Sequence, residues 1–246
     1  RGALTPGRRA DFCVIDDPRM CRVKKVFVKG KEIFPSIMQK SLPDLPSYFS
    51  CTTPSADAIR IRGSGEARVI GLVPQQIITT SLRYSLGTHD IPDLKRDILK
   101  LVVCNRYHDN VSSVGLVHGF SLKQGAIASS ISHDAHNIIA VGTSDGEIRT
   151  AIEAVIQSGG AMVAVTGESS TIVPLTCGGL MSTLPYPEVV KQLCDLHALT
   201  KHMGSIDDPF MYLSFLALPV IPALRITDHG IFEVGEFRTV PLFIEQ

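Results

Sequence analysis

The sequence predicts an α+β (mixed α/β) fold: a small β unit, then a larger domain of mixed sheets with about three helices. Three observations predict it. Short apolar and β-branched runs fill the chain before Ser144. Helical periodicity with start and stop residues begins only there. Tryptophan is absent and aromatic residues make up 6%, so the core must be mainly Val, Ile, Leu and Ala. Strands that come first and helices that come late do not make a clean β-α-β alternation.

Thr5-Pro6-Gly7 opens the chain with turn chemistry. Residues 10–16 are a short apolar run, and 23–28 alternate up to the turn Lys29-Gly30-Lys31. Ile33 and Phe34 begin a third strand. Residues 1–34 thus read as one β unit, too small to bury itself. Residues 35–57 read as a linker, because Pro43, Pro46 and Pro54 with several serines break any period. The larger domain is expected over 58–246. Its strands fall at 67–73, 76–86, 98–107, 114–120 and 126–131. Ser144 and Glu147 have the spacing of a capping box. Ile148, Ile152, Val155 and Ile156 form the stripe of that first helix, and Gly159-Gly160 stop it. Another strand is read at 161–166. Pro187 starts the second helix, with Val189, Leu193, Leu196 and Thr200 on one face and Gly204 as the stop. A third, shorter helix at 209–218 ends at Pro219.

Composition excludes several classes. Lys plus Arg and Asp plus Glu each total 24, so the basic surplus of a nucleic-acid binder is missing. No apolar run reaches the 18 residues of a membrane span. The N-terminus has no signal-peptide pattern, and Arg1 in place of Met reads as the start of a fragment. The six cysteines share no C-x-x-C spacing and read as free, mostly buried thiols in a reducing, cytoplasmic compartment.

One stretch concentrates polar chemistry. Ser132, His133, Asp134, His136 and Asn137 lie between two apolar strands. Burying such groups without partners is costly. The residues leave three readings open: groups lining a cleft, turn and cap chemistry, or a metal site using His133 and His136. Asn105-Arg106-Tyr107-His108 ends a strand and reads either as a partner for a polar ligand or as a solvated terminus. Gly178-Gly179 permits close backbone approach. His89, His118, His197, His202 and His229 are isolated. Phosphate-binding glycine motifs, G-x-S-x-G and H-E-x-x-H are all absent.

Several blocks in order resemble a known family. Gly119-Phe120, Gly125-Ala126-Ile127-Ala128, Ser132-His133-Asp134-x-His136-Asn137 and Gly179-Leu180-Met181-Ser182 are similar to the C-terminal domain of adenine deaminase. So are Asp208-Pro209-Phe210-Met211, the run from Leu216 to Pro222 and Ile226-Thr227-Asp228. The opening Gly2-x-Leu4-x-Pro6-Gly7-x-x-Ala10-Asp11 resembles the closing β unit of amidohydrolase-superfamily enzymes. The one departure is Thr176-Cys177, where the family tends to an aliphatic or proline pair.

The resemblance implies hydrolytic deamination of adenine to hypoxanthine and ammonia, by a metal-bound hydroxide held in a barrel. That barrel begins its ligand set with a His-x-His pair, which this sequence lacks. The implied cofactor is a divalent metal, manganese or iron, with no ligand in this chain. This chain alone is therefore expected to be inactive and to contribute one wall of the site. His133, Asp134, His136 and Asn137 are the expected contacts to adenine. A homo-oligomer is expected, with no nucleic-acid or membrane partner. Two other readings are a stand-alone binding or assembly module that kept the fold and lost the barrel, and a separate gene product supplying half a site in trans.

Overall fold

The computed structural model describes residues 2–33, 48–87 and 91–244. The expectations placed on Phe34, Pro43, Pro46 and His89 lie outside them.

Strands β1 (Phe12–Ile15), β2 (Val23–Val28) and β3 (Lys31–Ile33) form a small antiparallel sheet in that order. Phe12 sits opposite Phe27, and the rings stack at 4.7 Å. Lys29 and Gly30 both take positive φ in the β2–β3 turn, and the Asp11 carboxylate accepts from the Lys29 amide at 2.7 Å. Val14, Val23 and Val28 remain exposed.

The larger sheet has eight strands. They are β4 (Gly65–Leu72), β5 (Thr79–Leu86), β6 (Ile98–Cys104), β7 (Ser112–His118), β8 (Ala126–Ser129), β9 (Ile138–Gly142), β10 (Ala161–Val165) and β11 (Ser170–Pro174). Their spatial order is β11-β10-β8-β9-β6-β7-β4-β5. Every neighbouring pair is antiparallel except β4 with β7. Helix α1 (Asp145–Gln157) precedes β10, while α2 (Tyr186–His202) and α3 (Pro209–Phe215) follow β11. The chain ends in a third sheet of β12 (Leu224–Thr227), β13 (Gly230–Glu233) and β14 (Arg238–Val240).

Both faces of the large sheet are covered. On one, Ile148, Ile152 and Val155 of α1 pack on Val102, Ala140 and Val163, with Ile59 beside them. On the other, Leu196 of α2, Leu213 of α3 and Ile226 and Ile231 of the last sheet meet Leu101, Ile127 and Val141. All seven residues of β6 are buried. One of them is Lys100, whose ammonium donates to the Ile59 carbonyl at 3.0 Å and to the Asp145 carboxylate. A buried ammonium needs such partners.

Residues 48–59 join this packing. Phe49 and Cys51 lie against the α1-side core and Ile59 is fully buried. The Ser50 amide donates to the Arg106 carbonyl at 2.8 Å, and Arg149 Nε donates to the Pro54 carbonyl at 2.9 Å.

The mixed α/β class and three helices agree with the sequence reading. Ser144 caps α1 by accepting from the Glu147 amide at 3.2 Å. The Glu147 carboxylate turns to the hydroxyls of Ser144 and Thr143, at 2.8 and 3.0 Å. Helix α2 begins at Tyr186 with Pro187 in its first turn, and Gly204 follows its cap. Helix α3 stops at Phe215, short of the expected Leu218. Strands β11 to β14 were not anticipated. The cysteine expectation needs correction. Cys104 and Cys177 are buried, Cys51 is half-buried, and Cys13, Cys21 and Cys194 are exposed. Cys13 sits on β1, Cys21 in the turn between β1 and β2, and Cys194 on the solvent side of α2. Burial pushes the Cys104 thiol up to about 12.

A truncation beginning at Tyr48 should keep one cooperative unfolding transition. One beginning at Arg62 should lose stability, because Ile59 and the carbonyl held by Lys100 go with the removed segment. Deleting a buried aliphatic costs about 2–5 kcal/mol, so melting should drop by roughly 5 °C or more in a domain of this size. Equal melting temperatures for the two truncations would show that residues 48–61 add nothing.

Candidate functional site

Four segments meet where β6 ends and β9 begins. The first is Asn105-Arg106-Tyr107-His108. Asn105 Oδ1 accepts from the amides of Tyr107 and His108, at 2.9 and 3.0 Å, and so closes a turn. Its Nδ2 donates to the Asp228 carboxylate at 2.6 Å, tying the turn to the β12–β13 hairpin.

Arg106 then points back under this turn and is 5% exposed. Its guanidinium carbon lies 5.1 Å from the Phe49 ring and 4.9 Å from the Tyr107 ring. One terminal NH donates to the Gly178 carbonyl at 3.0 Å. The Arg106 amide faces Asn137 Oδ1 at 3.4 Å. The next carbonyl of the glycine pair, Gly179, accepts from Ser130 Oγ at 2.6 Å. Gly179 has φ +74, and a Cβ there would run into the Arg106 guanidinium and the Phe49 ring. The glycine is required on both counts.

The segment Ser132 to Asn137 completes the cluster. Ser132 and Asn137 are buried, His133 and His136 are half-buried, and Asp134 is exposed. The His133 amide donates to the Ser214 carbonyl at 2.9 Å, and its ring lies 4.7 Å from Phe215 at the end of α3. The His136 amide donates to the Ser132 carbonyl at 2.6 Å, closing the turn, with His136 itself at φ +53. The two imidazoles stand edge to face, 6.0 Å apart. Tyr107 Oη donates to the Ala135 carbonyl at 3.3 Å. The structure thus brings Asn137 and His136 to Arg106 and sets His133 beside His136, while Asp134 faces solvent.

Two properties set this cluster apart. Burial, then the charges of Arg106 and His133, hold His136 below the usual imidazole range against the opposing pull of Asp134. In addition, Arg106 Nε, Ser132 Oγ and His136 Nδ1 are buried without a hydrogen-bond partner, and the only other such side-chain atom among the described residues is Gln192 Oε1. Buried polar atoms are normally paired, so three orphans in one place call for a cause. A cavity of about 340 Å³ lies against α3, lined in part by Ile131, Phe210, Met211 and Ser214 but by none of Ser132, His133, Asp134, His136 and Asn137.

A metal centre does not fit here. Among the described residues, no three His, Cys, Asp or Glu side chains are grouped to hold an ion. His133 and His136 lack a third ligand. Sequence reasoning left the Arg106 turn between a polar-ligand partner and a solvated terminus, gave Tyr107 no role and missed Phe49; the buried Arg106 is not a solvated terminus. The available signal was Asn-Arg-Tyr-His at a strand end together with the glycine pair.

The adenine deaminase C-terminal domain matches residues 76–238. An adenine deaminase of Methanoregula boonei is 55% identical over 243 residues, which is 99% of this chain and 44% of that protein. One of Methanoculleus marisnigri is 52% identical over 246 residues, covering 100% of this chain and 47% of its own length. One of Brucella melitensis is 40% identical over 250 residues, covering 98% and 43%. The chain spans less than half the length of these curated relatives. Similar to them over nearly all its residues, and matched through most of its larger domain, this chain belongs to the adenine deaminase C-terminal domain family.

Proposed function

We propose that this chain is the C-terminal part of an adenine deaminase and forms one wall of its active site. The observation that carries the reading is the near end-to-end match to proteins named adenine deaminase, at 55% and 52% identity. The reaction takes adenine and water to hypoxanthine and ammonia. The metal centre lies outside this chain in this reading. A cytoplasmic homo-oligomer is part of the same reading.

The contribution of this chain is recognition. Adenine presents a flat ring with acceptor nitrogens and an exocyclic amine. His133 and His136 offer ring nitrogens that can donate or accept, according to tautomer. A His136 kept neutral leaves one nitrogen free to accept from the amine. Asp134, exposed at the rim, supplies a carboxylate acceptor for the same group. Asn137 holds the turn through the Arg106 amide, so its role is to orient the histidines.

A chimera tests the reading. This chain replaces the corresponding C-terminal part of the Methanoregula boonei relative. The chimera should release hypoxanthine from adenine, and this chain alone should not, with or without added manganese, iron or zinc. A folded but inactive chimera would sink the proposal. Turnover by the isolated chain on the order of 1 per second, the low end for ordinary enzymes, would overturn the placement of the metal centre.

Within the chimera, His133→Ala, Asp134→Asn and His136→Ala should each lower kcat/KM with little change in melting temperature. A charge-assisted contact, as for Asp134, corresponds to about 1.5–3 kcal/mol, or roughly 10- to 150-fold, and a neutral imidazole contact to about 0.5–1.5 kcal/mol, or roughly 2- to 13-fold. If all three keep the parental kcat/KM, the knot is not a substrate surface.

His136 also predicts a pH dependence. Its folded proton affinity lies below that of the unfolded chain, near 6.5. As pH falls through about 6.5, the unfolded state binds a proton that the folded state refuses. Stability is therefore held above that pH and lost below it, down to the folded value. His136→Asn tolerates the positive φ and removes the titration. Urea midpoints between pH 7.5 and 5 should fall less steeply in the variant.

A further inference from the structure

We propose that Arg106 is a positioning residue: clamped between Phe49 and Tyr107, it locks the Gly178-Gly179 turn and the Ser132–Asn137 knot into one arrangement. The inference rests on the reading of the knot as a substrate surface, and it adds a residue that touches no substrate itself.

The clamp is built from contacts in four directions. Two aromatic rings flank the guanidinium, at 5.1 and 4.9 Å. A terminal NH holds the Gly178 carbonyl at 3.0 Å. The backbone of the same residue reaches Asn137 through its amide and Ser50 through its carbonyl. Tyr107, one side of the clamp, fastens the knot at the Ala135 carbonyl. The absence of a side chain at Gly179 makes the room that the guanidinium occupies. Only a planar, delocalised cation can stack between rings and donate sideways at the same time. Lysine would keep the charge and lose both the stacking and the directed NH.

Arg106 also acts on His136 through its charge. The charged and titratable groups about that imidazole are Arg106, His133 and Asp134, with the Tyr107 hydroxyl fastened to the neighbouring Ala135 carbonyl. The Arg106 guanidinium disfavours protonation and the Asp134 carboxylate favours it. The unpartnered Nε of Arg106 shows that the clamp is not saturated.

Two substitutions separate charge from shape. In the isolated chain, imidazole resonances followed by NMR against pH report on His133 and His136. Arg106→Gln should raise the His136 midpoint toward about 6.5. Arg106→Lys, which keeps a cation in place and is the safer folder, should leave that midpoint low but displace both sets of resonances. In the chimera, Arg106→Lys should lower kcat/KM at least 10-fold with melting within a few degrees of the parent.

The outcomes distinguish the two ideas. Loss of kcat/KM in both His136→Ala and Arg106→Lys supports both. Loss in His136→Ala alone overturns the inference and leaves the site reading standing. Full activity in all the knot variants overturns the site reading. The resonances then decide: displaced signals in folded Arg106→Lys uphold the clamp, and unmoved signals overturn it.

Discussion

Strand β6 has no solvent side, and that constraint organises the larger domain. All seven of its residues are buried: Leu99, Leu101 and Val103 join one core, Val102 and Cys104 another, and Ile98 a third with Val69 and Leu116. A strand buried on both faces needs a layer over each. The fold supplies α1 with residues 48–59 on one side, and α2, α3 and the last sheet on the other. Each fully buried Val, Leu or Ile contributes about 1.5–3 kcal/mol, so leaving either face bare would cost more than a domain's net stability. Lys100 is the exception that the packing must accommodate. It takes its two partners from the Ile59 carbonyl and Asp145, at the start of α1. The ammonium thereby fixes where the helix and the incoming chain meet the sheet.

The same constraint places the candidate site. A strand that is apolar on both faces has to release its polar residues at an end. Asn105 and Arg106 are the first residues past β6, and the knot is the first irregular stretch between β8 and β9. Strand β9 pairs antiparallel with β6, so the start of β9 lies beside the end of β6. Cys104 opposite Ile138 brings Asn105-Arg106 against Asn137. Proximity of the polar groups follows from sheet register rather than from attraction between them.

Much of this was legible in the sequence, for identifiable reasons. The bounds of β2 emerge from alternation, and the Ser144 cap from its spacing to Glu147. The five residues of the knot stand out because both flanking strands are apolar. Strands β12 to β14 did not stand out. They hold three or four residues each, and paired-strand periodicity needs longer runs to be visible. Arg106 was ambiguous because its partners are distant in sequence: Phe49, Gly178 and Asn137 reach it only through the fold. The exposed cysteines misled for a different reason. Cys13 and its apolar neighbour Val14 are both exposed on β1, so an apolar neighbour in sequence did not mean burial.

The two buried arginines show why the cluster is more than a packing solution. Arg225 is fully buried, and its guanidinium donates to the carbonyls of Ile221, Phe215, Ile77 and Pro222. Burial lowers it to about 10, so it still carries its charge at neutral pH. Every feature of Arg225 is that of a tie between loops, with its donors met by fixed backbone. Arg106 is nearly as buried, yet its side chain donates to the Gly178 carbonyl and leaves Nε unmet. Ser132 Oγ and His136 Nδ1 are unmet beside it. Each unmet buried group costs about 1–3 kcal/mol. The same chain that saturates Arg225 with four carbonyls leaves three such groups together at the end of β6. Sequences satisfy local rules wherever stability alone decides, and they depart from them where a site needs open valences. By that criterion the open valences that can meet a ligand are those of Ser132 and His136, and the clamped Arg106 holds the turn that carries them.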